Sequence, residues 1–525
     1  MQNILFVYPK FPVTYWGFQH IMPFIGKKAA FPPLALMTIA AWFKEGFNLK
    51  LVDCNIEKLR DADLQWADYV LTSSMIVQKD SLHQIIARCN QMGKPVVCGG
   101  PYPTSSPERF KAATSIVVGE AESFMEKFVE DIRNNRLLPL YKIHGDKPDL
   151  SLTPKPRFDL VKLRYYTSML LQFSRGCPFN CEFCDIIEMF GRTPRTKSPE
   201  QFLAELDGLY DTGYRGKFFI VDDNFIGNKT KVKAMLAELI GWQRRKGFPF
   251  QFYTEASVNL AQDDELLNLM TTAGFSMVFL GLETPDENTL KQAGKNQNTR
   301  HSLEESIHKI QNSGLEVTGG FIVGFDSDPE NIFELQKTFI RKAAVPFAMV
   351  GLLMALPQTQ LTRRLTREGR MRPEESTGNN QNLELNFIPV RNQQSLVEGY
   401  RQLLLDIYHP KNYFGRCREL ILNHLPRKRA KLTKFSWRNF RFRNFYSSVR
   451  AFAYSLVKQG FSRYGLLYCG YLIEIAFRRP SHFVQAVTLA VYGHHFFRIT
   501  RDMRLRQAQA MKPGLSAAGD VALNA

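Results

Sequence analysis

The chain has 525 residues, which exceeds one typical domain of roughly 100–200 residues and predicts two or three domains. Its composition, with 44% hydrophobic and 22% charged residues, excludes a disordered or collagenous protein, and the eight cysteines are too sparse for a disulfide scaffold. The net charge of +18 is concentrated late in the chain, and three cysteines crowd into eight residues, which indicates metal binding in a reducing compartment such as the cytoplasm.

The first 135 residues alternate short apolar runs with helical stretches. This pattern is typical of a doubly wound, Rossmann-like α/β domain with a parallel sheet. The predicted strands cover residues 4–8, 49–53, 69–73, 95–98 and 116–118. The predicted helices lie near residues 34–45, 81–92 and 121–134.

Small and polar residues follow several of these strands, at the edge where a doubly wound sheet binds its ligand. Such residues let a large, flat ligand approach the backbone closely. The candidates are Ser73, Ser74, Met75, Gly99, Gly100, Pro101, Gly119 and Glu120. A second reading, in which they form ordinary tight turns between strand and helix, stays open at this point.

A second βα series follows a stretch rich in proline. Four prolines interrupt residues 136–165, which predicts a linker between domains. From residue 166 to residue 392, six apolar runs alternate with amphipathic segments, and this predicts a partial (β/α)6 barrel with its site at the carboxyl ends of the strands. The predicted strands cover residues 169–173, 217–221, 251–254, 277–280, 318–323 and 350–353, and the helical segments include residues 199–210, 231–242 and 300–313.

The last part of the chain, residues 393–510, is predicted to be helical, aromatic and basic, followed by a frayed tail over residues 511–525. Within it, residues 427–464 contain 11 Lys and Arg and no acid. This segment is either a solvated basic helical face or a surface for anionic lipid headgroups, and nucleic acid is not expected because nothing resembles a recognition fold.

The sequence predicts a cytoplasmic protein, with peripheral contact to the inner face of the membrane as the alternative. No secretory signal is recognisable at the first residues, which read as a strand. The most apolar late stretch, residues 483–493, is shorter than the ~20 residues that a bilayer crossing needs.

Three cysteines form a C-x3-C-x2-C motif on the loop that leaves the first predicted barrel strand. Cys177, Cys181 and Cys184 could bind three irons of a [4Fe–4S] cluster, and no fourth cysteine lies nearby for the last iron. Zinc is the competing reading, but structural zinc sites use four ligands. With Phe183 before the last cysteine, the motif resembles the radical S-adenosylmethionine (SAM) superfamily, which implies that the open iron chelates SAM.

Polar residues after the later strands fit this resemblance. It implies SAM contacts for Phe183, Asp222, Asp223, Asn224, Glu255, Glu283 and Gly324. The acidic pair lies in the run FFIVDDNF and the glycine lies in GFIVGFDSD. Taken one at a time, such carboxylates are also compatible with solvated or salt-bridged groups.

The first domain resembles the cobalamin-binding branch of that superfamily, through the runs FPPLALMTIAA, GGPYPTSSPE and VVGEAE. It lacks the Asp-x-His-x-x-Gly motif, which implies a cobalt without a protein histidine. Methylthiotransferases are a rival group, but they use three N-terminal cysteines for a second cluster. Cys54, Cys89 and Cys98 are the candidates here, and two of them have the pattern of ordinary buried residues.

Residues 1–420 resemble the hopanoid C-2 methylase group, through runs such as CDIIEMFGRTPR, DDNFIGNK, TEASVNLA and LPQTQLTRRL. The resemblance implies a cobalamin-dependent radical SAM methyltransferase that acts on an unactivated carbon of a hopanoid-like lipid. The implied cofactors are a [4Fe–4S] cluster, SAM and cobalamin, with a small-molecule or lipid substrate and an electron donor such as ferredoxin or flavodoxin. Because the cofactors carry the chemistry, no protein acid or base is nominated as catalytic.

Two other functions stay open on the sequence. One is a cobalamin-dependent radical SAM enzyme that cyclises or rearranges its substrate without methylating it. The other is a non-catalytic cobalamin-binding regulator with a vestigial barrel, although the intact cysteine motif disfavours it.

Overall fold

The fold contains two parallel sheets and a C-terminal group of helices. It was obtained as a computed structural model, which describes residues 1–15, 17–142, 145–373, 376–379, 383–427 and 442–510. The central part of the predicted basic segment, residues 428–441, and the predicted tail, residues 511–525, lie outside the described residues.

The first sheet is a doubly wound parallel sheet, as the sequence predicts. Its strands are β1 (Gln2–Tyr8), β2 (Phe47–Asp53), β3 (Tyr69–Ser73), β4 (Val96–Gly99), β5 (Ser115–Val118) and β6 (Leu140–Lys142). Their order is β2-β1-β3-β4-β5-β6, so the direction of winding reverses between β1 and β3. The helices of this unit are α1 (Met22–Ile25), α2 (Leu34–Ala40), α3 (Asp61–Trp66), α4 (Lys79–Gln91), α5 (Pro101–Ser105) and α6 (Met125–Arg133).

The predicted linker over residues 136–165 differs from the observed structure. Its residues Leu140–Lys142 form β6, which pairs in parallel with β5 and closes the edge of the sheet. Tyr141 explains the difference, because its ring is buried against Phe128 and its hydroxyl donates a hydrogen bond of 2.7 Å to Asp131. Tertiary packing therefore makes a strand from a short segment with no strand signal of its own.

Helix α2 is shorter than predicted, because it ends at Ala40 rather than near residue 45. The chain then turns, and Gly46 adopts a positive φ of 92° immediately before β2. Strand β2 accordingly begins at Phe47, two residues before the predicted start. From Phe47 onward, β2 pairs in parallel with the whole of β1.

The second sheet has six parallel strands in the order β14-β13-β12-β11-β10-β7, which confirms the predicted partial barrel. The strands of this unit are β7 (Ser168–Leu171), β8 (Ser174–Arg175), β9 (Arg195–Thr196), β10 (Lys217–Ile220), β11 (Gln251–Ala256), β12 (Phe275–Glu283), β13 (Glu316–Val323) and β14 (Ala348–Leu352). The short strands β8 and β9 form a separate antiparallel pair. The helices are α7 (Ile186–Phe190), α8 (Pro199–Asp211), α9 (Lys229–Lys246), α10 (Asp264–Ala273), α11 (Glu287–Gln292), α12 (Leu303–Asn312), α13 (Ile332–Lys342) and α14 (Gln360–Arg367).

One apolar core connects the two units. Along β1, Leu5 and Val7 face a cluster confined to the first unit, while Ile4 and Phe6 face a cluster that continues into the barrel. This alternation follows from the period of two in a strand, which sends successive side chains to opposite faces. The two sheets are thus held in one packed body rather than joined only by a tether.

The C-terminal helices pack onto the last barrel strands. They are α15 (Gln393–Ile407), α16 (Pro410–Glu419), α17 (Phe442–Gly460), α18 (Gly465–Arg478) and α19 (Phe483–Ala510). Tyr400 and Tyr408 of this region are buried and donate hydrogen bonds to the carbonyl oxygens of Val350 and Ala348, at 3.1 and 2.6 Å. Among the described residues, no helix combines the length and the apolar character that crossing a bilayer requires.

Candidate functional site

The three cysteines lie on a tight loop between β8 and α7. The antiparallel pair of β8 and β9 closes the base of this loop, and the backbone N–H of Cys177 donates to the carbonyl oxygen of Gly191 at 3.2 Å. Gly176 adopts a φ of 96°, and a Cβ at this position would lie 2.9 Å from the same carbonyl oxygen. Only glycine therefore fits immediately before the first cysteine.

The cysteines open into a cavity of about 210 Å³ at the carboxyl ends of the barrel strands. Its wall is formed by Cys177, Phe179, Cys181, Phe183, Cys184, Ile186, Ile187, Asp223, Asn224, Glu255, Ala256, Ser257, Phe279, Gly281, Glu283, Lys295 and Gln297. Within the part of the chain that the structure describes, no three His, Cys, Asp or Glu groups converge on a single ion position. Three thiols around one cavity suit a [4Fe–4S] cluster instead, in which each thiolate binds a different iron.

Two amide side chains point at the sulfur atoms. The Nδ2 of Asn224 lies 3.9 Å from the Sγ of Cys177, and the Nε2 of Gln297 lies 3.8 Å from the Sγ of Cys181. Amide donors of this kind stabilise thiolate charge in a buried site. Gln297 was not among the residues predicted from the sequence, since it comes from a turn far beyond the end of β12.

The neighbouring carboxylates Asp222 and Asp223 have different surroundings. Asp222 is buried and does not line the cavity; its carboxylate accepts hydrogen bonds from the backbone N–H groups of Phe173 and Ser174, at 2.7 and 2.8 Å. Asp223 does line the cavity and accepts from the backbone N–H of Gly176 at 2.9 Å. The geometry therefore gives Asp222 a role in holding the chain before the cysteine loop rather than a contact inside the cavity.

Burial raises the pKa of two carboxyl groups on the wall of the cavity. Burial raises the pKa of Glu255 to about 7, and the nearby charge of Asp223 adds to this shift. Burial also raises the pKa of Asp223 to about 6, although the hydrogen bond from Gly176 opposes the shift. Two carboxyl groups in this state can become charged when a cation enters the cavity.

Glu283 forms a buried ion pair with Lys295, at 2.7 Å between Oε1 and Nζ. Burial alone would lower the pKa of Lys295, but Glu283 and the nearby cysteine thiols outweigh it and hold the pKa above its usual value. Lys295 was not predicted from the sequence either, because it lies 12 residues beyond its partner, after a helix. Its cationic group is the positive charge that faces the three sulfur atoms.

The two remaining SAM candidates differ in position. Phe183 lines the cavity and packs edge-on against Phe325. Gly324 does not line it; this residue adopts a φ of 105° and its backbone N–H donates to the Oδ2 of Asp328 at 2.6 Å. Gly324 therefore shapes the turn after β13, outside the wall of the cavity.

A second cavity, of about 310 Å³, lies at the carboxyl ends of β3, β4 and β5, where the first sheet was expected to bind its ligand. Six of the predicted residues line it, namely Ser73, Gly99, Gly100, Pro101, Gly119 and Glu120. Ser74 and Met75 do not: the Ser74 side chain is buried behind the wall, and the Met75 side chain is exposed. The hydroxyl of Ser74 has no hydrogen-bond partner among the described residues.

The wall of the second cavity is largely apolar, which suits the flat face of a large ligand, and its glycines pack tightly against neighbouring residues. At Gly100, with a φ of 96°, a Cβ would lie 2.7 Å from the Oγ of Ser73 and 2.8 Å from the backbone nitrogen of Ser74. Leu36, Ile39 and other apolar side chains form much of the remaining wall, and none of the described lining residues is a histidine. The residues present therefore fit a cobalamin whose cobalt has no imidazole ligand from the protein.

The two cavities share a wall. Helix α7 begins immediately after the cysteine loop, and its Ile186 and Ile187 line the first cavity while Met189 and Phe190 line the second. A single helix is about 10 Å across with its side chains. Groups bound in the two cavities are therefore close neighbours.

Buried ion pairs connect the units at this wall. Arg175 contacts Glu120 at 2.9 Å and Glu122 at 2.8 Å, and Arg195 contacts Glu120 at 2.8 Å. The Glu120 side chain is only 2% exposed. Because Arg175 directly precedes Gly176 and Cys177, these pairs join the cysteine loop to the end of β5.

Family models match three consecutive parts of the chain. Residues 28–129 match a B12 binding domain, residues 171–337 match the radical SAM superfamily, and residues 359–509 match a domain of unknown function (DUF4070). The first two matches lie on the two sheets that carry the two cavities.

Known proteins resemble the chain over most of its length. An uncharacterized methyltransferase of Synechocystis, sll1242, is 39% identical over 98% of the chain and 94% of the relative. The hopanoid C-2 methylase of Rhodopseudomonas palustris is 36% identical over 79% of the chain and 78% of the relative. Among solved structures, the cobalamin-dependent S-adenosylmethionine radical enzyme OxsB, with aqua-cobalamin and S-adenosylmethionine bound, has the same fold: a TM-score of 0.60 at 14% identity, covering 98% of this chain and 82% of that one.

Replacement of Cys184 by alanine should abolish cluster binding, because two thiolates on the loop cannot hold the cluster. Iron and labile sulfide, measured after anaerobic reconstitution, should fall to background. Cys98→Ala is the matched control, since Cys98 is buried in the apolar cluster of the first unit. Loss of iron in Cys98→Ala would contradict the assignment of the cluster to the three-cysteine loop. It would indicate a second cluster in the first unit.

Glu255→Gln should stabilise the cofactor-free protein at high pH. The folded-state pKa of about 7 lies above the usual value, so the neutral carboxyl stabilises the fold at low pH and this contribution is lost as the pH rises through about 7. Glutamine stays neutral, so the variant should gain on the order of 1–3 kcal/mol over wild type near pH 8 and nothing near pH 4. Denaturant unfolding at both pH values measures this difference.

Glu45→Gln provides the control for that measurement, because the Glu45 side chain is exposed and its charge is already hydrated. It should change stability equally little at both pH values. A Glu255→Gln variant with no pH-dependent gain would show that the carboxyl is hydrated in the folded protein.

Gly100→Ala should reduce cobalamin retention while leaving the cluster in place, because the added Cβ would collide with Ser73 and with the backbone of Ser74 and so displace Gly100 and Ser73, which both line the second cavity. Gly46→Ala is a matched control: Gly46 has a similar φ of 92° but no atom within 4 Å of an added Cβ. Cobalamin and iron per chain, measured after gel filtration, should separate the two variants. Equal cobalamin loss in both would indicate strain from the positive φ rather than the collision with Ser73 and Ser74.

Proposed function

We propose, from the premise that this chain belongs to the cobalamin-binding radical SAM methyltransferases, that its substrate is a hopanoid-like polycyclic lipid, methylated at an unactivated carbon. The family is shown by the radical SAM and B12 binding domain models together with the relatives at 39% and 36% identity. A [4Fe–4S] cluster, SAM and cobalamin are accordingly its cofactors. The class of lipid and the methylation of an unactivated carbon are the parts that we propose.

The wall that the two cavities share is the observation that carries this proposal. When bound, the cluster with SAM supplies one-electron chemistry in the first cavity and cobalamin supplies the methyl group in the second. Ile186, Ile187 and Phe190 make the region between them apolar, and water is thereby kept away from reactive groups. A hydrocarbon skeleton can be held against such a surface without polar partners.

We assign the polar residues of the first cavity to binding and orientation. Asp223, Asn224 and Glu255 supply acceptors for the cationic and hydroxyl groups of SAM, and the ion pair with Lys295 fixes the carboxylate of Glu283. Asp222 and Gly324 are assigned to shaping the backbone around the cavity. No described side chain is assigned as a general acid or base, because the chemistry resides in the cofactors.

In the second cavity, we assign contact with cobalamin to the six predicted residues that line it. Gly99 and Gly100 line the cavity with backbone only, and Glu120 is held by arginines rather than free to ligate cobalt. The unpartnered hydroxyl of Ser74, just behind this wall, is placed to interact with a ligand amide through a small local shift.

The lipid substrate is supported by the similarity to the hopanoid C-2 methylase, which covers 79% of this chain and 78% of that enzyme. We further propose that a ferredoxin or flavodoxin supplies the electrons, and that the basic segment of residues 427–464 contacts the inner face of the membrane. Residues 428–441 of this segment lie outside the described structure, so its charge is the argument for the contact.

Methylation can be tested with SAM that carries a deuterated methyl group. Reconstituted protein, a chemical reductant and a hopanoid lipid extract should yield labelled methylhopanoid together with 5′-deoxyadenosine, both detected by mass spectrometry. The Cys184→Ala variant should yield neither product, because it lacks the cluster.

Two results would contradict parts of the proposal. Formation of 5′-deoxyadenosine with an altered but unlabelled product would indicate rearrangement or cyclisation of the substrate. If the gene is deleted in its native host and the profile of methylated lipids does not change, the lipid substrate is excluded. The methyltransferase activity would then have to act on another substrate.

A further inference from the structure

Helix α18 carries an apolar stripe on its solvent side. Leu466, Gly470, Ile473 and Phe477 are all exposed, at spacings of four, three and four residues that place them on one face of a helix. Leu466 is 93% exposed and Phe477 is 85% exposed. Single exposed apolar residues are ordinary, but a row of them along one helix marks an interaction surface.

The opposite face of α18 already forms the packing that the fold requires. Tyr468, Tyr471 and Ile475 are fully buried, and the ring of Tyr471 lies 5.1 Å from that of Phe414 on α16. An amphipathic surface helix needs only one apolar face for its own packing. The stripe is therefore additional to what folding demands of this helix.

Apolar side chains continue beyond the ends of the stripe. Phe461, in the turn that joins α17 to α18, is 91% exposed, and Val457 at the end of α17 is 58% exposed. Val484, at the start of α19, is 71% exposed. These residues extend the surface at both ends of α18.

The charge around the stripe identifies the kind of partner. Residues 457–484, which form and flank α18, contain Lys458, Arg463, Arg478 and Arg479 against a single acid, Glu474. Glu474 is itself neutralised by Arg418 and Arg478, at 2.8 and 2.7 Å. A second copy of the chain docking symmetrically on this surface would bring the same cations face to face. An anionic partner is favoured instead.

We propose that α18 lies flat on an anionic lipid bilayer, with Leu466, Ile473 and Phe477 inserted at the boundary between headgroups and acyl chains. Aromatic and aliphatic side chains with flanking cations are the features that bind a helix in this plane. A helix of 14 residues is about 21 Å long, so the stripe reaches several lipids. This membrane contact would bring the site to a lipid substrate. Its purpose therefore rests on the proposed function.

This surface is distinct from the basic segment predicted from the sequence. Apart from Val457 and Phe461, its apolar residues follow residue 464, so substitutions in the stripe leave the cations of residues 427–464 in place. The basic segment would contribute electrostatic attraction to the anionic membrane, which salt weakens. The stripe would contribute the burial of apolar side chains, which depends much less on salt. The two contributions can therefore be measured separately.

The test is flotation of the cofactor-loaded protein with vesicles of phosphatidylcholine, with and without phosphatidylglycerol. The wild type should float with the anionic vesicles, and less so as salt increases. The variant Leu466→Gln/Ile473→Gln/Phe477→Gln should partition about tenfold more weakly or worse, because three side chains lose their apolar burial. Its iron content, cobalamin content and melting temperature should match the wild type, since all three positions are exposed.

A matched control removes three exposed apolar residues elsewhere, as Val13→Gln/Leu152→Gln/Val390→Gln. This variant should float like the wild type. As a positional readout, the extra fluorescence of Phe477→Trp over wild type should be quenched by brominated lipid in anionic vesicles.

Three results would overturn the proposal. They are flotation of the stripe variant equal to that of the wild type, wild-type binding that is the same without phosphatidylglycerol, and a wild-type dimer that the stripe variant converts to a monomer. The last would assign the stripe to a second copy of the chain. Vesicle binding needs neither SAM nor a hopanoid, so a labelled product that is not a lipid would contradict the proposed function while leaving the flotation result intact.

Discussion

The buried ion pairs of Glu120 with Arg175 and Arg195 are the interaction on which the arrangement of the two cavities depends. Charges this deeply buried are stable only when they are paired and hydrogen-bonded, and removal of one partner leaves an uncompensated charge. One carboxylate at the end of β5 receives an arginine from each strand that closes the cysteine loop. The relative position of the cluster and cobalamin cavities is therefore set by a contact with little tolerance for change.

Backbone restraints extend this constraint to the cluster loop. Asp222 holds the chain at residues 173–174 and Asp223 holds Gly176, so both neighbours of Arg175 are fixed by the end of β10. The single helix α7 then leads from the last cysteine to the wall of the second cavity. Two cofactor sites built this close together can exclude water from the apolar wall between them, and radical chemistry benefits from that exclusion.

The site was predictable from the sequence wherever the signal is local. The cysteine spacing and the glycines at strand ends are of this kind, because a loop ligand set and a positive φ are properties of a few adjacent residues. The sequence could not tell which of two adjacent residues at a strand end lines the cavity. Asp222 and Asp223 point in different directions, and only Asp223 reaches it. Lys295 and Gln297 had no signal, because they approach the sulfur atoms only through the packing of a later turn.

The sequence by itself determined the two parallel sheets and the cysteine loop, since hydrophobic period and motif spacing record these directly. The kind of cofactors followed from the resemblance of its motifs to a known family. Tertiary structure alone decided that β6 completes the first sheet, that α7 divides the two cavities, and that two buried arginines meet one glutamate. It alone also distinguished the two apolar faces of α18. Both faces have the same pattern in the sequence, and only the packing of α16, α17 and α19 against the helix leaves one face exposed to a partner.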